Sequence, residues 1–267
     1  MCDDAACCGE APSGWDVQDV GGMNISRRAV LGSLSGAVIG ASASSLIGAD
    51  AADAASSVPA IEVRPGLRVY PRDAWGKDLP PRRALADEEV KYLLVHHTAT
   101  SSRPRSVRGT IRGIYGFHTR SKHWSDVCYN FFVGPDGSVW EARAGSMDRA
   151  VRAAATGGSQ GFGQLVCVIG NYNLNRPSAA AFGSLVKVLA WLADRHGVDT
   201  SPGATATFVS RGSNRWPGGM EVTTPTITGH RAMSRTTCPG RYLVARLPDL
   251  RVAVQTQRDV WAAPGPV

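Results

Sequence analysis

Long apolar runs are missing from this sequence. Past residue 54 nothing approaches the ~20 residues that a membrane span needs, so no stable membrane insertion is expected there. Basic runs interleaved with aromatics are missing too, although Lys and Arg outnumber Asp and Glu by 29 to 22. Nucleic acid is therefore not an expected partner. No internal repeat and no sign of a second domain interrupts the chain. Cysteines are few and uneven. Cys2, Cys7 and Cys8 fall in the first 22 residues, which leaves Cys128, Cys167 and Cys238. That odd count cannot be used up by disulfides within one chain.

What is present begins with a leader. "SRRAVLGSLSGAVIGASASSLIGADAADAA" pairs Arg27 with Arg28, then runs through a mildly apolar Gly/Ala/Ser stretch to Ala-x-Ala sites near Ala54. Residues 23–54 read as a twin-arginine signal peptide, which predicts a secreted or wall-associated protein. An amphipathic helix would need a polar face that Val30 to Ile47 lacks. Residues 1–22 are acidic and turn-rich, an untranslated or disordered leader if Met23 is the true start. Without residues 1–54 the chain keeps 27 basic and 15 acidic residues, a net +12. Such a charge suits an anionic surface, for example a wall rich in phosphate or carboxylate polymers, or serves solubility alone.

Residues 55–67 read as an Ala/Ser/Pro-rich linker, 68–256 as one domain and 257–267 as a tail. "LRVYPRDAWGKDLPPRR" has no period and reads as an extended entry segment. "VKYLLVHHTAT" is a short apolar run of strand length. Residues 106–120 predict a helix. "CYNFFVGPDGSVWEAR" predicts a hairpin around Gly134–Gly137. "QLVCVIGNYN" reads as a buried strand and 177–196 as the clearest helix, closed by Gly197. "ATFVSRGSNRWPGG" reads as a loop or irregular hairpin. "TPTITGH" reads as a strand stopping at His230, and Pro239 as the opening of a last helical region broken near Pro248. Strands alternating with helices predict a single α/β domain with a central mixed β-sheet flanked by helices.

His96 and His97 are neighbours in a strand, so their side chains take opposite faces and cannot share a centre. His230 ends a later strand, and Cys238 follows just before Pro239. Two imidazoles and a thiolate suit Zn2+, with the fourth position left for water. The spacing also allows surface or satisfied core histidines and a small buried apolar thiol. Tyr129 is either a functional hydroxyl or a core residue on the face of Phe131 and Val133. Glu141 is a candidate general base by hairpin position only, and otherwise a solvated or Arg-paired residue. His118 is a groove or surface histidine. Cys128 and Cys167 are buried thiols, or a disulfide if their strands adjoin.

Together "RDAWG", "VHHTA", "HWSDVCYNFFVGPDGSVWEARAG" and "GHRAMSRTTCPG" resemble the zinc-dependent N-acetylmuramoyl-L-alanine amidases of the peptidoglycan recognition protein family, over about residues 68–250. The resemblance implies His96, His230 and Cys238 as ligands of Zn2+, and Tyr129 and Thr236 as donors to the oxyanion formed at the lactyl–alanine amide. It implies peptidoglycan or muropeptide as partner, an amidase domain at 68–256, and a chain expected to act as a monomer. His97 is left on the far face. Three positions depart from the family pattern. Ala155 stands where a cleft histidine is common, Ala232 where Asp often follows G-H-R, and Cys128 replaces a small residue. The readings left open are an exported zinc amidase, a non-catalytic muropeptide-binding module on the same fold, and a zinc-stabilised adhesion domain.

Overall fold

The computed structural model describes residues 58–156 and 161–263. The leader 1–22, the signal segment 23–54 and linker residues 55–57 lie outside the described residues. Strand β3 (Tyr92–His97) is buried along its whole length, as expected for an apolar run enclosed on both faces. It pairs in parallel with β6 (Gly163–Val168) on one side and β9 (Ile227–Gly229) on the other. Strand β4 (Phe131–Val133) continues the sheet in parallel beside β6. It turns back through Gly134–Gly137 into antiparallel β5 (Val139–Glu141). Two N-terminal strands, β1 (Ile61–Arg64) and β2 (Leu67–Tyr70), close that edge, giving the order β1-β2-β5-β4-β6-β3-β9.

The sheet is mixed and has helices on both faces. Leu93 and Val95 of β3 point into a layer with helices α3 (Ala179–His196), α4 (Arg241–Ala245) and α5 (Leu247–Ala262). Tyr92 and Leu94 point into a second layer, with α1 (Asp73–Gly76) and α2 (Val107–Gly116). Local signals set the helix ends. The Ser178 hydroxyl accepts from the Ala181 N–H to start α3, and Gly197 stops it at φ 64°. Ser106 caps α2 through the Gly109 N–H. The helix expected to reach Arg120 ends as α-helix at Gly116, and one wider π turn, Phe117–Ser121, follows.

Three expectations change. Residues 61–64 are not linker but edge strand β1; three of its four side chains are exposed, so no apolar alternation marked it. The entry segment contains β2, whose Leu67 and Val69 are buried, and it docks α1 under the sheet. The supposed tail is helix as far as Ala262, and the Trp261 indole donates to the Pro65 carbonyl beside the β1–β2 turn. Pro248 lies in the first turn of α5, where its missing N–H costs nothing. The stretch 206–219, read as a loop or irregular hairpin, is part of a hairpin: it carries most of β7 (Thr205–Val209) and the connection to its antiparallel partner β8 (Glu221–Pro225), the two forming a separate arm. Its buried Phe208 rests against Tyr92, with ring centroids 5.4 Å apart.

Candidate metal centre

His96 stands near the C-terminal end of β3 on the face of Tyr92 and Leu94. His230 is the first residue after β9, where the chain tightens into a 3-10 turn over His230–Ala232. Eight residues on, Cys238 returns to the same spot. The three side chains are buried, and their nitrogen and sulfur donors lie within 4.8 Å of one another. The two imidazole rings are 4.5 Å apart, and the Cys238 Sγ is 3.6 Å from His96 Nδ1. Donors bound at ~2.0–2.3 Å around a tetrahedral ion stand about 3.3–3.8 Å apart, so this sulfur–nitrogen separation fits one. Two imidazoles and one thiol form a donor set suited to zinc.

Two glycines explain how the chain closes here. A Cβ on Gly229 would stand 2.8 Å from the Pro239 ring, so β9 could not approach the Cys238–Pro239 segment. Gly240 has φ 90°, and a Cβ there would meet the Tyr172 backbone at 2.4 Å. The N–H of His97 donates to the Cys238 Sγ at 3.4 Å. Its side chain turns away, as strand alternation requires, and its Nδ1 accepts from the Tyr172 N–H at 3.1 Å.

The Tyr129 ring lies 5.2 Å from that of His96 and 5.5 Å from that of Phe132. Tyr129 is therefore not on the face of Phe131 and Val133, which pack in the opposite layer. Asn130 breaks the alternation. Its backbone N–H donates to the Leu165 carbonyl, and its side-chain oxygen accepts from the Leu165 N–H. Its amide nitrogen reaches the Val151 carbonyl and the Ser146 hydroxyl. The chain is thus pinned one residue before the strand begins. Thr236 is half-buried, and its hydroxyl oxygen accepts from the Cys238 N–H at 3.2 Å while keeping its own proton to donate. The π turn brings His118 inward. It is buried against Trp124 and lies 5.8 Å, ring to ring, from Tyr129.

Glu141 is neither solvated nor paired with a guanidinium. It is buried on the α3 face, where its carboxylate accepts from the backbone N–H groups of Arg72 and Met147. Burial raises its pKa against the pull of those donors. Facing away from the cluster, it is not placed to act as its base. Cys128 and Cys167 are buried and not joined in a disulfide. Cys167 is the register partner of His96, and the Cys128 Sγ is 3.7 Å from His118 Nε2. Ala155 is fully buried in the same layer.

The sequence reading missed two supports. Asp126, quoted within "HWSDVCYNF" without a role, holds the Arg72 guanidinium at 2.9 Å and accepts from the Val127 and Ala144 N–H groups. Arg72 also lies 4.1 Å over the Trp75 ring, tying the "RDAWG" segment beneath the hairpin. The second support is the β7–β8 arm, whose tip grips the stretch between His230 and Cys238. Ser213 Oγ donates to the Met233 carbonyl at 2.8 Å, and Trp216 Nε1 to the Ala232 carbonyl at 2.7 Å. Asn214 Oδ1 accepts from the Arg235 N–H at 2.7 Å, and the Arg215 guanidinium donates to the Arg231 carbonyl. An aperiodic, polar loop gives no sequence signal for such bracing.

A family model described as N-acetylmuramoyl-L-alanine amidase matches residues 86–241, a span that holds the whole cluster. The chain belongs to that family. Among relatives of this amidase family, peptidoglycan-recognition protein SC2 of Drosophila simulans is 26% identical over 177 residues, which cover 66% of this chain and 82% of that protein. The N-acetylmuramoyl-L-alanine amidase of Sus scrofa is 30% identical over 178 residues, 64% of this chain but 25% of that protein. Bumblebee PGRP-SA superposes with a TM-score of 0.54 at 19% identity, covering 68% of this chain and 95% of its own. Peptidoglycan recognition protein-LE, solved with tracheal cytotoxin, a monomeric diaminopimelic acid-type peptidoglycan, superposes at 0.52 with 25% identity, covering 68% and 92%. The mixed sheet with flanking helices is the fold of these recognition proteins, as the sequence led one to expect.

Proposed function

We propose that the protein is a zinc-dependent amidase that hydrolyses the amide between N-acetylmuramic acid and the L-alanine of the peptidoglycan stem. The observation that carries this reading is the convergence of His96, His230 and Cys238, three donors rather than four, beside the Tyr129 ring. Bound there, zinc supplies a Lewis acid and a water nucleophile usable at neutral pH. His96 and His230 would hold it through imidazole nitrogens and Cys238 through its sulfur, which accepts the His97 N–H. Tyr129 donates its hydroxyl proton to the oxygen that gains charge as the amide carbon becomes tetrahedral, and Thr236 adds a second donor. One such donor is typically worth about 3–4 kcal/mol. Buried walls around the cluster exclude bulk water and strengthen these bonds.

Buried Ala155 in place of a cleft histidine favours a second reading, a module that binds muropeptide without cutting it. Release of L-alanine amino termini from a soluble muropeptide separates the two. Zinc-loaded protein should release them, chelated protein and Cys238→Ser should not, and added zinc should restore the first. Binding without release by zinc-loaded protein supports the module and ends the hydrolase reading.

A further inference from the structure

Three loops leave the C-terminal ends of β3, β6 and β9, at residues 98–106, 169–178 and 230–246. They carry seven arginines (Arg103, Arg105, Arg176, Arg231, Arg235, Arg241 and Arg246) and no lysine. Acids are few: the three segments themselves contain no Asp or Glu, and the carboxylates beside them are Asp136, in the β4–β5 turn to whose Pro135 carbonyl the Ser178 hydroxyl donates, and Asp249, which pairs with Arg246. The loops are knitted into one surface. The Ala99 N–H donates to the Gly170 carbonyl, the Asn171 N–H to the Ser102 hydroxyl and the Arg241 N–H to Asn173 Oδ1. The Arg176 and Arg241 guanidinium groups both lie over the Tyr242 ring, at 5.5 and 4.8 Å.

The opposite rim of the sheet differs. There Asp87 pairs with Arg149, and Glu88 pairs with both Arg152 and Arg211. Of the seven rim arginines, Arg246 alone has a carboxylate partner among the described residues. Two guanidinium groups held against one ring repel each other, and among the described residues no carboxylate pairs with either. Arg103, Arg105, Arg176 and Arg241 are exposed.

From this we infer that the rim docks a polyanion of the cell wall that carries its charge as phosphodiesters. The arginine forks suit phosphate oxygens, and their spread over three loops suits a chain rather than a single small anion. Tyr172 and Leu243, which carry the Tyr242 patch, pack in the layer opposite the metal cluster. A stem peptide seated at the cluster is therefore not what this patch holds. The inference rests on the amidase reading for its setting at the wall.

The test measures the full-length chain binding to soluble poly(glycerol phosphate), and to purified walls before and after phosphate is stripped with hydrofluoric acid. Four phosphate contacts, on the scale known for nucleic acids, should cost wild-type affinity roughly 10²-fold between 50 and 200 mM salt. The variant Arg103→Gln/Arg105→Gln/Arg176→Gln/Arg241→Gln should bind the polymer at least about tenfold more weakly with a shallower salt slope. Its cleavage of a soluble muropeptide should match wild type. If that variant does not fold, the wild-type salt slope and the release of wall-bound protein by soluble polymer decide alone. Unchanged polymer affinity in the folded variant, or equal binding to stripped and unstripped walls, overturns the inference. Failure of wild type to cleave muropeptide instead strikes the amidase reading and leaves polymer binding to be judged by itself.

Discussion

The two faces of the central sheet use the same strands for opposite ends. Toward α3 and α5 the layer is largely aliphatic: Leu93, Val95, Val166, Val168 and Ile227 meet Leu185, Leu189, Leu192 and Val254. Toward α1 and α2 the same strands present Cys167 and, at its end, His96, with Cys128 and Tyr129 beside them. His96 and His97 condense the contrast into one peptide bond. One ring joins the donor cluster, and the other caps a backbone N–H and packs near Tyr172. Both faces bury apolar side chains, but the one toward α1 and α2 also gathers at its rim the His96, His230 and Cys238 donors, groups that cost energy to bury.

That division can be tested, and the largest effect expected is Cys238→Ala. Losing one of three donors should cost far more metal affinity than the 10–100-fold typical of outer partners, read by competition with a chromophoric chelator. Leu189→Ala should do the reverse. It should remove roughly 2–5 kcal/mol of stability in urea melts and leave zinc affinity unchanged. A matching loss of zinc affinity would show that the faces are not independent. Tyr129→Phe should lower kcat on a soluble muropeptide by roughly 10²–10³ with little change in KM. Asn214→Ala frees the arm tip from the Arg235 N–H, so it should weaken zinc binding by up to about tenfold and alter the cobalt-substituted visible spectrum. Its secondary structure by circular dichroism should stay as in wild type.

The smallest effect concerns His196 at the end of α3. Burial, reinforced by Arg195, lowers its pKa from 6.5 to about 4. Between these values the unfolded chain binds the extra proton, so stability falls as pH drops from 6.5 toward 4. His196→Gln should flatten that limb of the stability–pH curve, while metal affinity at neutral pH stays unchanged.

Much of this was legible in the sequence, for reasons particular residues make plain. Strand β3 showed itself because its residues are buried on both faces, and α3 because its apolar stripe is bracketed by Pro177 and Gly197. The opposite placement of His96 and His97 followed from strand alternation alone. The face of Tyr129 did not, because the anchoring of Asn130 by Leu165, Val151 and Ser146 is tertiary and leaves no period. Strand β1 was hidden by its exposed side chains. The arm was hidden because its tip acts through single polar side chains on carbonyl groups, contacts that do not repeat along the chain. Glu141 was misjudged because its partners are backbone N–H groups, which every residue but proline carries.

Asn130 has one more consequence. With both ends of its amide and its own N–H engaged, the backbone beneath Tyr129 is held before any ligand arrives. The phenol beside His96 thus stands on a fixed socket, so other side chains could be seated there without disturbing the strand that follows. The protein therefore offers a ready frame for grafting a different side chain next to the His96, His230 and Cys238 cluster.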